Sequence, residues 1–343
     1  MNPADRYAPA QVFTLGNAAG LRVAVMDYGA TWLSCTLPLP DGGRRELLLG
    51  CADLAEYQRQ TYYIGATIGR FTNRIRDSRF VLDGQEVLLL PNEGEHQLHG
   101  GPDSFDRRFW QLEFHDERRV RLGLVSPDGD QGYPGELHAS VSYALGDDLS
   151  LTVSFEARCS APCPVGLTHH AYFNLDGDQG GATPSVLQHR LRVAADQWLP
   201  VDAQMQATAE LAPVDGSGFD LRGGRQLAEA IRADPVLRGG EGFDHSLALE
   251  AAVASAELSS SDGRVRMQLS TDQPALQVFT GQGLGKVRAR DGQPYPAHAG
   301  IALEPQFHPG SPRHAPHPPQ WPDCILRPGH SWRSQSRFQF FVD

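Results

Sequence analysis

At 343 residues with 40% hydrophobic side chains, the chain is long enough for a deep core and has the composition of a soluble globular protein. A net charge of −11, with no run of five basic residues, argues against a nucleic-acid partner or an anionic membrane surface. No apolar run reaches the length of a membrane span, and Met1 to Gly20 lacks the basic and apolar regions of a signal peptide, so a cytoplasmic location is expected.

Leu21, Val23 and Val25 alternate with more polar neighbours, a strand signal. Asp41-Gly42-Gly43 marks a turn before Leu47-Leu48-Leu49, and residues 51–60 are expected to form a short helix with Leu54, Tyr57 and Gln58 on one side. Asp83-Gly84 lies between two apolar runs and predicts a hairpin, because Gly tolerates the positive φ of such a turn. The clearest hairpin follows. Leu137, Ala139, Val141, Tyr143 and Leu145 alternate, then Gly146-Asp147-Asp148 turns the chain into Leu149, Leu151, Val153 and Phe155.

Further strands are expected around Leu191, Leu258, Val265-Met267-Leu269, Leu276 to Thr280 and Phe338 to Val342. Beyond the helix at 51–60, only Gln226 to Ala233 shows helical spacing, through Leu227, Ala230 and Ile231. Many short alternating strands joined by turn residues predict an all-β protein, a large antiparallel β-sandwich or barrel with a few short helices. With no linker, repeat or low-complexity tract, residues 1–343 are expected to form one domain.

Several catalytic engines are absent from the sequence. There is no Gly-x-Ser-x-Gly elbow and no His-Glu-x-x-His. Gly281-Gln282-Gly283-Leu284-Gly285-Lys286 fits no nucleotide fingerprint and reads as a turn at a sheet edge. The cysteines (Cys35, Cys51, Cys159, Cys163 and Cys324) have neither redox nor zinc spacing and are expected to be reduced thiols. His96, His99, His314 and His317 on irregular loops are weak metal candidates, and no metal is expected.

What remains is a set of polar islands in apolar strands: Asn73-Arg74, His96 and His99, His169-His170, Asp244-His245, Gln277 and Glu304. Adjacent strand residues point to opposite faces, so His169 and His170 cannot both serve one pocket. Each residue also has a bland reading. The histidines can be core-edge residues, Asp244 a turn former, Arg74 a surface charge, and Glu304 half of a salt bridge to Arg74 or another Arg.

In order, Gly69-Arg70…Asn73-Arg74-Ile75, Leu98-His99-Gly100-Gly101, Thr168-His169-His170…Tyr172-Phe173-Asn174-Leu175, Phe243-Asp244-His245, Gln277…Thr280-Gly281, Leu303-Glu304…Gln306 and Ile325-Leu326-Arg327-Pro328-Gly329 resemble the aldose 1-epimerase (galactose mutarotase) family. The resemblance runs from about residue 10 to the C-terminus. It implies a large β-sandwich with a sugar cleft on one face, no cofactor, and a small-molecule aldose as the only required partner of a monomer or homodimer. It also implies His170 as general acid, Glu304 as base and His99 as a second histidine of the site. Asn73 and Arg74 would bind sugar, with Asp244 and Gln277 on its hydroxyls. The chain departs from the family pattern at Ala171, Pro305 and Phe307-His308-Pro309, which bears on sugar preference more than on chemistry.

Interconverting anomers needs a base on the anomeric hydroxyl and an acid on the ring oxygen, reversing roles on closure. Unperturbed pKa values of about 4.3 and 6.5 would leave Glu304 anionic and let His170 carry a proton. Trp110, Tyr172 and Phe307 are candidates to stack on the sugar ring. Two other readings stand beside the free-aldose mutarotase. One is an epimerase of a phosphorylated hexose, for which Arg70, Arg76, Arg107 and Arg108 offer charge. The other is a sugar-binding module without turnover, which loss of His170 or Glu304 would have favoured.

Overall fold

The computed structural model describes residues 6–208, 210–250, 254–314 and 321–343. Two large antiparallel sheets dominate it. The first has nine strands, in the order Gln111–His115, Arg119–Ser126, Leu137–Leu145, Ser150–Cys159, Trp332–Val342, Val265–Thr271, Ala256–Ser259, Arg190–Val193 and Arg225–Gln226. The second has six, in the order Tyr172–Phe173, Ile301–Gln306, Ala275–Phe279, Asp244–Ala248, Gln197–Leu199 and Ala212–Pro213. A four-strand N-terminal meander runs from Val12 to Glu46.

Period-two alternation explains how the two large sheets meet. Val141, Tyr143, Val153, Met267 and Phe338 from the nine-stranded sheet share one core with Leu247, Leu276, Val278, Ile301 and Leu303 from the six-stranded sheet. Trp32 of the meander fills the middle, edge-on to Phe173 and Phe338 at 5.6 and 5.2 Å. The expected all-β sandwich is therefore present.

Both expected hairpins form. Leu137–Leu145 pairs with Ser150–Cys159 over its full length, and Asp83 and Gly84 turn the Arg79–Leu88 hairpin with φ of 49° and 82°. The first helix is Leu54–Arg59. Gln58 is exposed, whereas Glu56 is buried because its carboxylate accepts the Arg288 N–H at 2.9 Å. Leu227–Ala233 is helical, as its spacing predicts. A third helix, Pro235–Gly239, is too short to show a period. Its signal is the Asp234-Pro235 pair, in which Asp234 caps the Val236 and Leu237 N–H groups.

Arg70 is a structural residue, 2% exposed. Its guanidinium donates to Ser126 Oγ and O, and to the carbonyls of Pro127, Pro134 and Gly135, at 2.7–3.2 Å. Removing it leaves several buried acceptors unpaired, each costing about 1–3 kcal/mol. Arg70→Met is expected to lower the unfolding free energy by about 3 kcal/mol or more in urea titrations. A loss below about 1 kcal/mol would show that those carbonyls are readily resolvated.

Candidate active site

The floor of the site is the face of the six-stranded sheet turned away from the shared core. In Ile301–Gln306, Ile301 and Leu303 enter the core, so Ala302, Glu304 and Gln306 take the other face. The same parity places Gln277 and Phe279, then Asp244 and Ser246, on that face of the next two strands. Register aligns them: Glu304 pairs with Gln277, and Gln277 with Ser246.

The two histidines divide as strand alternation requires. His169 enters the core, edge-on to Trp32 at 5.5 Å and Phe338 at 5.1 Å. His170 lines a cavity of about 140 Å³ over the sheet floor, together with Glu304, Asp244, Asn73, Arg74 and His99. The chain at His170 is held on both sides. Its N–H donates to Ala66 O at 2.8 Å, and its carbonyl accepts the Gly65 N–H at 2.9 Å. Gly65 is required there, since its φ is +69° and a Cβ would lie 2.5 Å from the Trp32 carbonyl oxygen.

Asn73, Arg74 and His99 come from a small ladder in which Arg74–Ile75 pairs with Gln97–Leu98. Asn73 and His99 both adopt positive φ, 68° and 53°. That conformation lets each backbone serve the other residue. His99 N–H donates to Asn73 O, and Asn73 N–H donates to His99 Nδ1, both at 3.1 Å. Nδ1 is thus an acceptor, so Nε2 carries the hydrogen of the neutral ring. Arg74 binds Glu93 through Nε and Nη2 at 2.7 and 2.9 Å and lies 3.7 Å from Asp244. Gln277 Nε2 donates to Asp244 Oδ1 at 2.6 Å, which turns that carboxylate toward the cavity.

His170 Nε2 lies 3.5 Å from Glu304 Oε1, with both side chains almost fully buried. Burial lifts Glu304 well above the usual carboxylate range, reinforced by Asp244 and opposed by Arg74. Burial likewise lowers His170 to about 4 and takes His99 well below the usual imidazole range, aided by the charges of His170 and Arg74. The reference values that would make Glu304 anionic and His170 cationic do not survive this environment. Low polarity favours each group in its neutral form, and at this spacing their proton equilibria are linked.

Single donor atoms of His99, His170 and Glu304 lie within 4.8 Å of one another, a spacing compatible with a cation. The chemistry of His99 opposes that use. A metal needs a lone pair, but the Asn73 N–H keeps Nδ1 as the acceptor and leaves Nε2 as a donor. His96 accepts the Asp77 N–H at 2.9 Å and does not line this cavity, while His314 lines a different one. His317 lies outside the described residues.

The alternative reading of Glu304, a salt bridge to Arg74 or another Arg, finds no such contact among the described residues, because Arg74 is occupied by Glu93 and Asp244. Of the proposed stacking residues, only Tyr172 lines the cavity. Trp110 packs on Phe105 and donates to its carbonyl, and Phe307 stacks on Phe71, because both are needed in separate core regions. Tyr62, Tyr63 and Phe279 line the site instead. The ring of Tyr63 lies 4.6 Å from His99 and 5.8 Å from His170. Parity with Gln277 could have found Phe279. Nothing in the sequence around Tyr62-Tyr63 marks those residues as wall.

The aldose 1-epimerase family profile matches residues 11–339. Aldose 1-epimerase of Escherichia coli is 43% identical over 98% of this chain and 96% of its own length. Galactose mutarotase of Sus scrofa is 37% identical over 94% and 92%. Among solved structures, an aldose epimerase homologue from C. elegans superposes with a TM-score of 0.88 at 29% identity, covering 97% of this chain and 99% of that one. Galactose 1-epimerase from Lactobacillus acidophilus superposes at 0.82 and 26% identity, covering 96% and 93%. Because the match spans both large sheets and every element that meets at the cleft, the chain belongs to the aldose 1-epimerase family of isomerases.

Proposed function

We propose that the protein equilibrates the α and β anomers of free aldohexoses such as glucose and galactose, with Glu304 as base and His170 as acid. The observation that carries this reading is the 3.5 Å approach of His170 Nε2 to Glu304 Oε1 at the cavity floor. The anomeric hydroxyl and the ring oxygen sit on one carbon, so their two proton transfers call for two groups side by side. With one proton shared, one group is the acid whenever the other is the base.

Opening starts from the tautomer in which the proton lies on His170, the form that Arg74 supports: Glu304 Oε1 takes the proton of the anomeric hydroxyl as His170 Nε2 delivers its own to the ring oxygen. The open-chain aldehyde rotates about its C1–C2 bond and the ring recloses on the other face, with the proton transfers reversed. Arg74 favours the charged carboxylate from nearby, and His99 Nε2–H supplies a fixed donor. Asp244, held by Gln277 and Arg74, offers an acceptor to a sugar hydroxyl. Tyr63, Tyr172 and Phe279 give the apolar surface that the carbon face of a pyranose needs.

The phosphorylated-hexose alternative loses its charge supply. Arg70 is spent on buried carbonyls, Arg76 on Asp202, Arg107 on Gln58 O and Asp106, and Arg108 on Asp103 and Asp130. None of the four lines the cavity, and Arg74 is already between two carboxylates. Polarimetry on freshly dissolved α-D-glucose and α-D-galactose is expected to show faster equilibration, unaffected by EDTA. Glucose 6-phosphate is expected to give a kcat/KM at least tenfold lower, since its dianion meets Asp244 and, among the described residues lining the cavity, no cation free of a carboxylate. Unchanged half-times at micromolar protein would refute the proposal, and preference for the phosphate would install the alternative.

A further inference from the structure

Beneath the catalytic pair lies a layer of polar atoms that the mechanism above does not use. Glu304 Oε1 faces His170, but Glu304 Oε2 is buried with no hydrogen-bond partner among the described residues. Two residues along the same strand, on the same face, Gln306 is 0% exposed, and neither its Nε2 nor its Oε1 has a partner. Across the strand Gln306 faces Ala275, which has no side-chain polar atom to offer. Gln277 Oε1 and Ser246 Oγ, in the same cross-strand row as Glu304, are also buried and unpartnered.

A buried polar atom without a partner costs about 1–3 kcal/mol, and sites with several such atoms are where proteins hold ordered water. The demands here are complementary. Glu304 Oε2 needs a donor most, because a carboxylate that must accept a proton in a low-polarity site is unstable without donors. Gln306 carries two N–H donors on the adjacent same-face position.

We propose that Gln306 is a positioning residue for the base: its carboxamide donates through one buried water to Glu304 Oε2, aiming Oε1 at the anomeric hydroxyl and supporting the carboxylate. The groups that face Glu304 are His170 and Tyr172 from residues 168–173, Asp244 from the same sheet two strands away, and Arg74 and His99 from the opposite wall. None of these is a partner to Oε2. Gln306 therefore controls how acidic the medium must become before the base is lost.

The inference rests on Glu304 being the base, and the test separates the two. In Gln306→Met, a shape-similar change without donors, the acidic limb of the kcat/KM–pH profile is expected to move upward by about one unit. Activity at pH 6 would then fall about tenfold more than at pH 8.5, with KM changed less than twofold. Gln306→Asn keeps a carboxamide and is expected to hold the limb within about half that displacement. Should the Met variant fail to fold, Gln306→Leu removes the same donors in an apolar side chain and is expected to give the same displacement. Ser246→Ala is expected to leave the limb in place. A Gln306→Met profile that is merely scaled down at every pH, or a displacement seen in Ser246→Ala and not at Gln306, overturns the proposal. If Glu304→Gln is itself active, the base assignment fails. An inactive Glu304→Gln with an unmoved Gln306→Met limb sinks this inference alone.

Discussion

Glu304→Gln is expected to fold normally, bind sugar and lose mutarotation by roughly 10²-fold or more. Gln keeps the shape and can still hydrogen-bond the anomeric hydroxyl, yet it cannot accept a proton at neutral pH. The main way this could mislead is structural, since breaking a buried ion pair costs about 3–5 kcal/mol. Here the danger is small. Arg74, the one guanidinium among the described residues of the cavity wall, is held by Glu93 and Asp244, so the substitution leaves it paired. Paired measurements of Tm and polarimetric rate decide the matter. Near-normal turnover in a folded variant refutes the base, whereas a drop of several kcal/mol with wild-type activity per folded molecule would make Glu304 structural.

His170→Asn is expected to reduce kcat by a similar factor, roughly 10²–10⁴, while sugar affinity persists. The loss should fall on kcat because charge develops on the ring oxygen only as the ring opens. His169→Asn is the paired control, and its damage should be of another kind. His169 packs edge-on between Trp32 and Phe338, fully buried, and burial holds it neutral with a pKa of about 3. An amide in that aromatic niche should lower stability by about 2 kcal/mol and change kcat per folded molecule less than threefold. Equal kinetic losses at the two positions would mean that the acid has been assigned to the wrong ring.

Much of the fold was legible because antiparallel strands write a two-residue period into the chain. The Leu137–Leu145 and Ser150–Cys159 hairpin and the Asp83-Gly84 turn could be read from a few adjacent residues. The division of labour between His169 and His170 followed from the same rule. Helices of five or six residues are barely longer than one helical turn and leave little period. Glu56 was hidden by its distant partner Arg288, and Pro235–Gly239 was marked only by its cap.

Recurring residues in order pointed to Asn73, Arg74, His99, His170, Asp244 and Glu304, all of which line one cavity. What the order could not carry was who occupies whom. Whether Arg74 meets Glu304 or Glu93, whether Gln277 faces sugar or steadies Asp244, and whether Arg70 is free or spent depend on contacts between distant segments. Aromatic identity was equally silent, since Trp110 and Phe307 differ from Tyr63 and Phe279 only in what the fold packs around them. The protonation of the pair was the furthest from reach. Residue type sets a reference pKa, but the transfer of Glu304 and His170 out of water is a property of the closed sheet floor, and that desolvation outweighs the reference difference. The chain by itself determined strand faces, turns and which chemical groups are available. Only the tertiary structure decided their partners, their charge and the one row in which Ser246, Gln277 and Glu304 line up, because register and burial arise from contacts that no local stretch contains.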